Sequence, residues 1–104
     1  FGALHYQPEV APASRWLVVG WATLFGFAAA DLTRVSGSIG AAWGFHFANN
    51  ALAVLVLATD GTIPGLALYL TPYGIDDAPI AATFAIDLLT TLAAWAVCRR
   101  AVRR

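Results

Sequence analysis

Three stretches of this chain run without a charge for long enough to dictate its fold. Fifteen residues separate Arg15 from Asp31, twenty-five separate Arg34 from Asp60, and twenty-one separate Asp77 from Arg99, with Asp87 as the one interruption. A helix that crosses the hydrocarbon of a bilayer needs about twenty mainly apolar residues, within a range of about 17–25. The second and third runs meet that length outright. The first is short, but Arg15 and Arg34 can lay their apolar stems along the helix and keep their heads in water, which extends it. The sequence therefore predicts an all-α fold, a polytopic transmembrane helix bundle with three spans near 15–32, 36–59 and 78–98. Composition closes off the soluble alternative. Hydrophobic residues make up 60% of the chain, charged residues 12%, and the mean hydropathy is +0.70, whereas soluble domains carry about 25% charged residues. A chain of 11.0 kDa has too much surface for its volume to hide that much apolar side chain inside itself.

Between the spans lie segments that break helices. Gly61, Pro64, Gly65, Pro72 and Gly74 punctuate an apolar connector, read as a loop dipping into the interface with Tyr69 and Tyr73 at headgroup level. Residues 6–14, with two prolines, form a second connector. Cytoplasmic flanks are enriched in Arg and Lys, so the Arg99–Arg104 tail and the 31–37 loop are expected inside. The 60–77 loop, with three Asp and no base, is expected outside together with residues 6–15, where Arg15 is a minor misfit.

Six Arg balance six acids and there is no Lys, so no basic stripe for nucleic acid is present. The expected partners are membrane lipid and a membrane-associated substrate, not nucleic acid. One cysteine, Cys98, excludes an internal disulfide and a Cys-rich zinc site. It reads as a small apolar residue at the interface. With no Met in the chain, the start is expected to be processed, trimmed or the cut edge of a longer protein.

Polar groups at membrane depth cost roughly 2.5–3.5 kcal/mol or more at the centre, so each asks for a reason. His46, Asn49, Asn50 and Asp87 are the ones in the apolar runs. His46 and Asn50 are four residues apart, which stacks them on one helix face about 6 Å apart along the axis. They can aim an imidazole and a carboxamide at one object, or supply helix–helix hydrogen bonds. Gly40 and Gly44 form G-x-x-x-G on a face rotated by roughly a third of a turn, suited to close helix packing. Asp87 reads as a polar contact between helices, with a proton or metal partner as the other reading. His5 follows Phe1 by four residues, and alone would be an interfacial histidine.

These residues together resemble a known family. Phe1–His5 as F-x-x-x-H, then SIGAAWGFHFANN with His46 and Asn50 as H-x-x-x-N, looks like the CPBP intramembrane proteases, the superfamily of CAAX prenyl protease type 2 and bacterial Abi proteins. The family pattern has E-E-x-x-x-R first, then F-x-x-x-H, then H-x-x-x-N or H-x-x-x-D, on separate membrane helices. Two of the three motifs stand here in the right order. The first is absent: the only glutamate, Glu9, lies in a proline-containing connector with no second Glu beside it. The resemblance covers residues 1 to about 60 well and the last span loosely. It implies that residues 1–104 are the C-terminal part of such a protease domain, in a bacterial plasma membrane, and inactive without the missing carboxylate.

The resemblance further implies an endopeptidase acting on membrane-associated peptides or proteins, with His5, His46 and Asn50 as catalytic residues. A Glu from the missing motif would be the general base and His5 would orient water. His46 and Asn50 would stabilise the oxyanion. His5 and His46 would instead be metal ligands if the enzyme is a zinc protease, since two His and a carboxylate with an open position form a catalytic zinc set. A metal-free glutamate mechanism suits the same residues. Two other classes fit the histidines. One is an electron-transfer protein holding haem between His5 and His46; the other is a non-catalytic membrane scaffold.

Overall fold

The computed structural model describes residues 1–60, 66–77 and 79–103. A 3₁₀ turn, Gly2–His5, precedes three long helices: α1 (Pro12–Ser36), α2 (Ile39–Ala51) and α3 (Ile80–Val102). A π-helical turn, Leu52–Val56, continues α2 without a break. Ile39–Val56 thus forms one apolar helical stretch of 18 residues, and all three stretches are long and apolar enough to cross a membrane. The all-α bundle expected from the charge-free runs is what the chain forms.

The limits of the helices differ from the sequence reading by a few residues. Helix α1 starts at Pro12, whose fixed φ suits the first helical position, and runs past Arg34 to Ser36. Gly37 closes it at φ 69°, ψ 14°, a left-handed conformation open to glycine at little cost. Ser38 then caps α2 by accepting the Gly40 N–H at 3.1 Å. The expected 31–37 loop is therefore only Gly37–Ser38, and Asp31 and Arg34 sit in the last turns of α1.

The second difference is larger. The apolar run after Val56 leaves the helix and becomes a strand, β1 (Leu57–Asp60), paired in parallel with β2 (Tyr69–Gly74). The segment from Leu66 to Tyr73, expected as a loop, thus contributes a strand. Register runs Leu57 to Tyr69 and Ala58 to Leu70, then shifts before Asp60 pairs with Gly74. Gly61, Pro64 and Gly65 lie outside the described residues, as does Arg104.

Helix α1 is the hub. It packs against both α2 and α3, which scarcely meet each other. Ala22, Phe25, Ala28 and Leu32 are its buried stripe, at the i, i+3, i+4 spacing of one helix face. Two polar clusters fasten the ends. At one end Asp31 accepts from Arg34 and Arg99, both at 2.8 Å, and from the Trp95 indole at 3.2 Å. At the other, Ser14 Oγ donates to Ile75 O at 2.8 Å, the Ala11 N–H donates to Asp76, and the Tyr73 hydroxyl pairs with Thr83. The N-terminal connector and the strand-bearing loop therefore share one end of the bundle. Large apolar side chains such as Phe27, Trp43, Phe47 and Leu89 stay exposed around the outside, as a lipid-facing surface requires.

Candidate functional site

The position of His5 is set by close backbone contact. The 3₁₀ turn lies so tightly on α1 that a Cβ at Gly2 would stand 1.8 Å from Thr23 Oγ1 and 3.0 Å from Thr23 Cα. One turn further along α1, the Phe1 ring covers Gly26, where a Cβ would meet Phe1 Cδ1 at 3.1 Å. His5 folds back to its own turn, with Nδ1 3.2 Å from Phe1 O. Arg15 holds the chain that follows. It donates to the carbonyls of Gln7, Pro8 and Val10 at 3.1, 2.6 and 2.9 Å and to the Tyr6 hydroxyl at 3.1 Å. The residue that fits poorly as a topology signal is the clamp of the N-terminal connector.

His46 reaches the same place from α2. Its ring meets the Phe1 ring edge-on, with centroids 5.5 Å apart, and the Phe25 ring at 5.3 Å. Phe1 in turn contacts His5 at 4.8 Å. The two imidazole centroids are therefore separated by no more than the sum of 4.8 and 5.5 Å, about 10 Å. Phe25, 3% exposed, is the floor of the cluster, stacked between Trp21 at 5.3 Å and Phe45 at 4.9 Å. Edge-to-face and offset ring pairs of this kind contribute about 0.5–1.5 kcal/mol beyond burial.

Asn50 lies one helical turn beyond His46 and is exposed. Its side chain makes no hydrogen bond to either histidine or to any other described residue. The structure thus brings Phe1, His5 and His46 together and leaves Asn50 at the edge of the group. Among the described residues no three His, Cys, Asp or Glu side chains gather closely enough to hold a metal ion. His5 and His46 are two of the three protein ligands a catalytic zinc takes, and the expected third, a carboxylate of the absent motif, is not in this sequence. Imidazole and carboxamide can carry protons and donate hydrogen bonds, and imidazole can also ligate a metal.

None of the described carboxylates faces the histidines through a hydrogen bond. Asp31 is taken by two arginines, Asp76 by Ala11 and Asp77 by the Gly74 N–H. Asp87 opens instead onto a cavity of about 440 Å³ between α2 and α3. Gly40, Gly44 and Asn49 line its α2 wall, and Thr91 and Cys98 stand with Asp87 on the α3 side. The Trp21 indole N–H approaches Asp87 without reaching hydrogen-bond geometry, and Trp21 Nε1 is buried without a partner among the described residues. A smaller cavity of about 360 Å³ between α1 and α3 is lined by apolar side chains, among them Trp16, Leu24 and Phe84.

Sequence reasoning missed Phe25, Thr91 and the use of Asn49 rather than Asn50 in the groove. Trp21–Phe25 is a readable i, i+4 aromatic pair, whereas the 100° rule sets Asn49 about 140° from Gly44 and about 60° from His46, so spacing alone does not assign it to the groove. Nothing in the sequence marks Thr91. The fold and these contacts define a helical membrane protein with an aromatic–histidine cluster where the N-terminal turn meets α1 and α2. Comparison with known protein families, curated proteins and solved structures returns no match.

Proposed function

We propose that this chain is the histidine-bearing part of an intramembrane endopeptidase of the CPBP type, which hydrolyses peptide bonds of membrane-associated substrates. One observation carries the reading. His5 and His46 belong to two motifs forty-one positions apart, yet the Phe1 ring contacts both imidazoles. Packing alone explains the phenylalanines; it does not call for two imidazoles at one apolar junction. On this reading the C-terminus faces the cytoplasm of a bacterial cell, in keeping with the Arg99, Arg100, Arg103 and Arg104 cluster.

The division of labour follows from chemistry. Attack of water on a peptide carbonyl needs a base within about 3 Å of the water and donors aimed at the oxygen that becomes negative. His5, held by its own 3₁₀ turn, orients the water. His46 and Asn50, one turn apart on α2, are the donors. The base is a glutamate supplied from outside the cluster, since no described carboxylate hydrogen-bonds to the histidines.

The test is cleavage of a membrane-anchored reporter peptide by the full-length protein in proteoliposomes. Losing one oxyanion donor costs about 10²–10³ in rate, so His46→Ala and Asn50→Ala should each cut cleavage at least a hundredfold. Membrane insertion should be unchanged, because replacing a polar residue by Ala makes the span more apolar. Cleavage by either variant at the unaltered rate, or none by the unaltered protein, sinks the proposal.

A further inference from the structure

The α2–α3 groove is a second polar feature, on a different face of α2 from His46 and independent of the protease reading. It has three properties that packing within this chain leaves unexplained. Its α2 wall is smooth, and a Cβ added at Gly44 would meet nothing within 4 Å. The close-approach surface that G-x-x-x-G provides is therefore unused at Gly44 among the described residues, and no residue of α2 is fully buried. The groove also holds unpaired polar groups. Thr91 is only 9% exposed, it and Asn49 make no side-chain hydrogen bond to any described residue, and Asp87 has only the neutral Trp21 indole N–H near it and no cation among the described residues. In hydrocarbon, unpaired polar groups of this kind are costly. Finally, the groove is long. From Asp87 to Val102 it follows sixteen residues of α3, about 22 Å at 1.5 Å rise per residue.

We propose that this groove seats a transmembrane helix of a partner protein, one that brings a Lys or Arg side chain to Asp87. The groove's length and small-residue wall fit a helix, whose backbone satisfies itself and can approach the glycines closely. Its polar groups fix the partner's chemistry. Asp87 lies seven residues into α3, about 10 Å along the axis, where a lipid places acyl chain rather than headgroup. Only a side chain can bring a donor to that depth. A carboxylate there calls for a cation, with the Asn49 carboxamide and Thr91 hydroxyl as additional acceptors.

A second copy of this chain meets the requirement poorly. Its arginines stand at positions 15, 34, 99, 100, 103 and 104, near the helix ends, and Arg15 and Arg99 already have partners. Its histidines sit in the aromatic cluster on the other face of α2.

The experiment adds synthetic Leu/Ala transmembrane peptides carrying a dansyl group to the full chain in phosphatidylcholine vesicles. Energy transfer from the chain's tryptophans reads binding. One peptide carries Lys seven residues from an end, its twin carries Leu there, and a third carries Lys at its terminus. The Lys peptide should bind at least tenfold more tightly than the other two, and Asp87→Asn should erase that preference. Gly44→Ile should weaken all three peptides while helicity by circular dichroism stays unchanged, since the chain has room for the side chain. Equal binding of the peptides, binding by none, or a preference that survives Asp87→Asn overturns the proposal. So does self-association of the chain alone that both Asp87→Asn and Gly44→Ile abolish, which would make a second copy the occupant.

Discussion

Replacing Gly2 by Ala tests the geometry on which the histidine cluster rests. The added Cβ would fall 1.8 Å from Thr23 Oγ1, 2.9 Å from Thr23 Cβ and 3.0 Å from Thr23 Cα. Ordinary contacts of this kind lie at about 3.5 Å or more, so the 3₁₀ turn must retreat by roughly 1.5 Å, or by roughly 0.5 Å if Thr23 gives up its hydrogen bond to Val19 O and turns its hydroxyl away. Rotating the Thr23 side chain cannot relieve the contact with its Cα. A gap of that size forfeits at least a quarter to a half of each dispersion contact across it, and it lifts Phe1 away from Gly26 and from the edge of His46. Overpacking of this sort costs about 1–3 kcal/mol. The assay is the nuclear Overhauser effect between the Phe1 and His46 rings in detergent micelles, together with the midpoint of unfolding by added SDS. Gly2→Ala should weaken the ring–ring effect and lower the midpoint. Adding Thr23→Ala removes the hydroxyl but leaves Cβ, so it should restore part of both. An unchanged ring–ring signal and midpoint in Gly2→Ala would mean that the turn does not rest on α1, and the meeting of His5 with His46 would fall with it.

Other expectations follow from the same contacts. Phe25→Ala empties the floor of the cluster and should lower stability by about 3–5 kcal/mol, read by SDS unfolding, whereas Phe27→Ala on the exposed side of α1 should cost far less. Asp31→Asn should loosen α3 from α1, because it strips the charge from contacts with both Arg34 and Arg99; amide exchange near residues 95–102 should rise, while that of α2 should not. In a Cys98→Ser background, single cysteines at 37 and 103 should be labelled from one side of the membrane and those at 8 and 76 from the other. Labelling of 37 and 76 from the same side would contradict three crossings.

Much of the fold is legible in the sequence because one physical constraint dominates it. Charges cannot remain unpaired in hydrocarbon, so the positions of Arg15, Asp31, Arg34, Asp77 and Arg99 mark out the helices. Where charges are no guide, the pattern misleads. The run LAVLVLAT is as apolar in a strand as in a helix, and hydropathy does not tell them apart. Its helix ends at Val56, and β1 pairs with a segment whose Pro72 and Gly74 argue against a strand. The expected 31–37 loop shrinks for a related reason. Asp31 and Arg34 look like loop charges, but they pair with each other one turn apart and with Arg99 on α3, which lets them stay inside a helix.

The candidate site is legible in part, and the division has a cause. Spacing along one helix assigns residues to faces, so position alone puts His46 and the Gly40–Gly44 pair on different sides of α2. Spacing says nothing of what stands opposite each face. Opposite His46 are Phe25 and the Phe1 of a distant turn; opposite Gly44 is open groove. His46 meets a packed aromatic junction, while Asn49, about 60° round the helix, lines the groove together with Asp87 and Thr91. Two faces with different surroundings argue for two tasks, chemistry at the junction and helix recognition in the groove. Variants of each can then be judged by whether they leave the other intact: Gly44→Ile should disturb peptide binding without moving the Phe1–His46 contact, and Gly2→Ala should do the reverse.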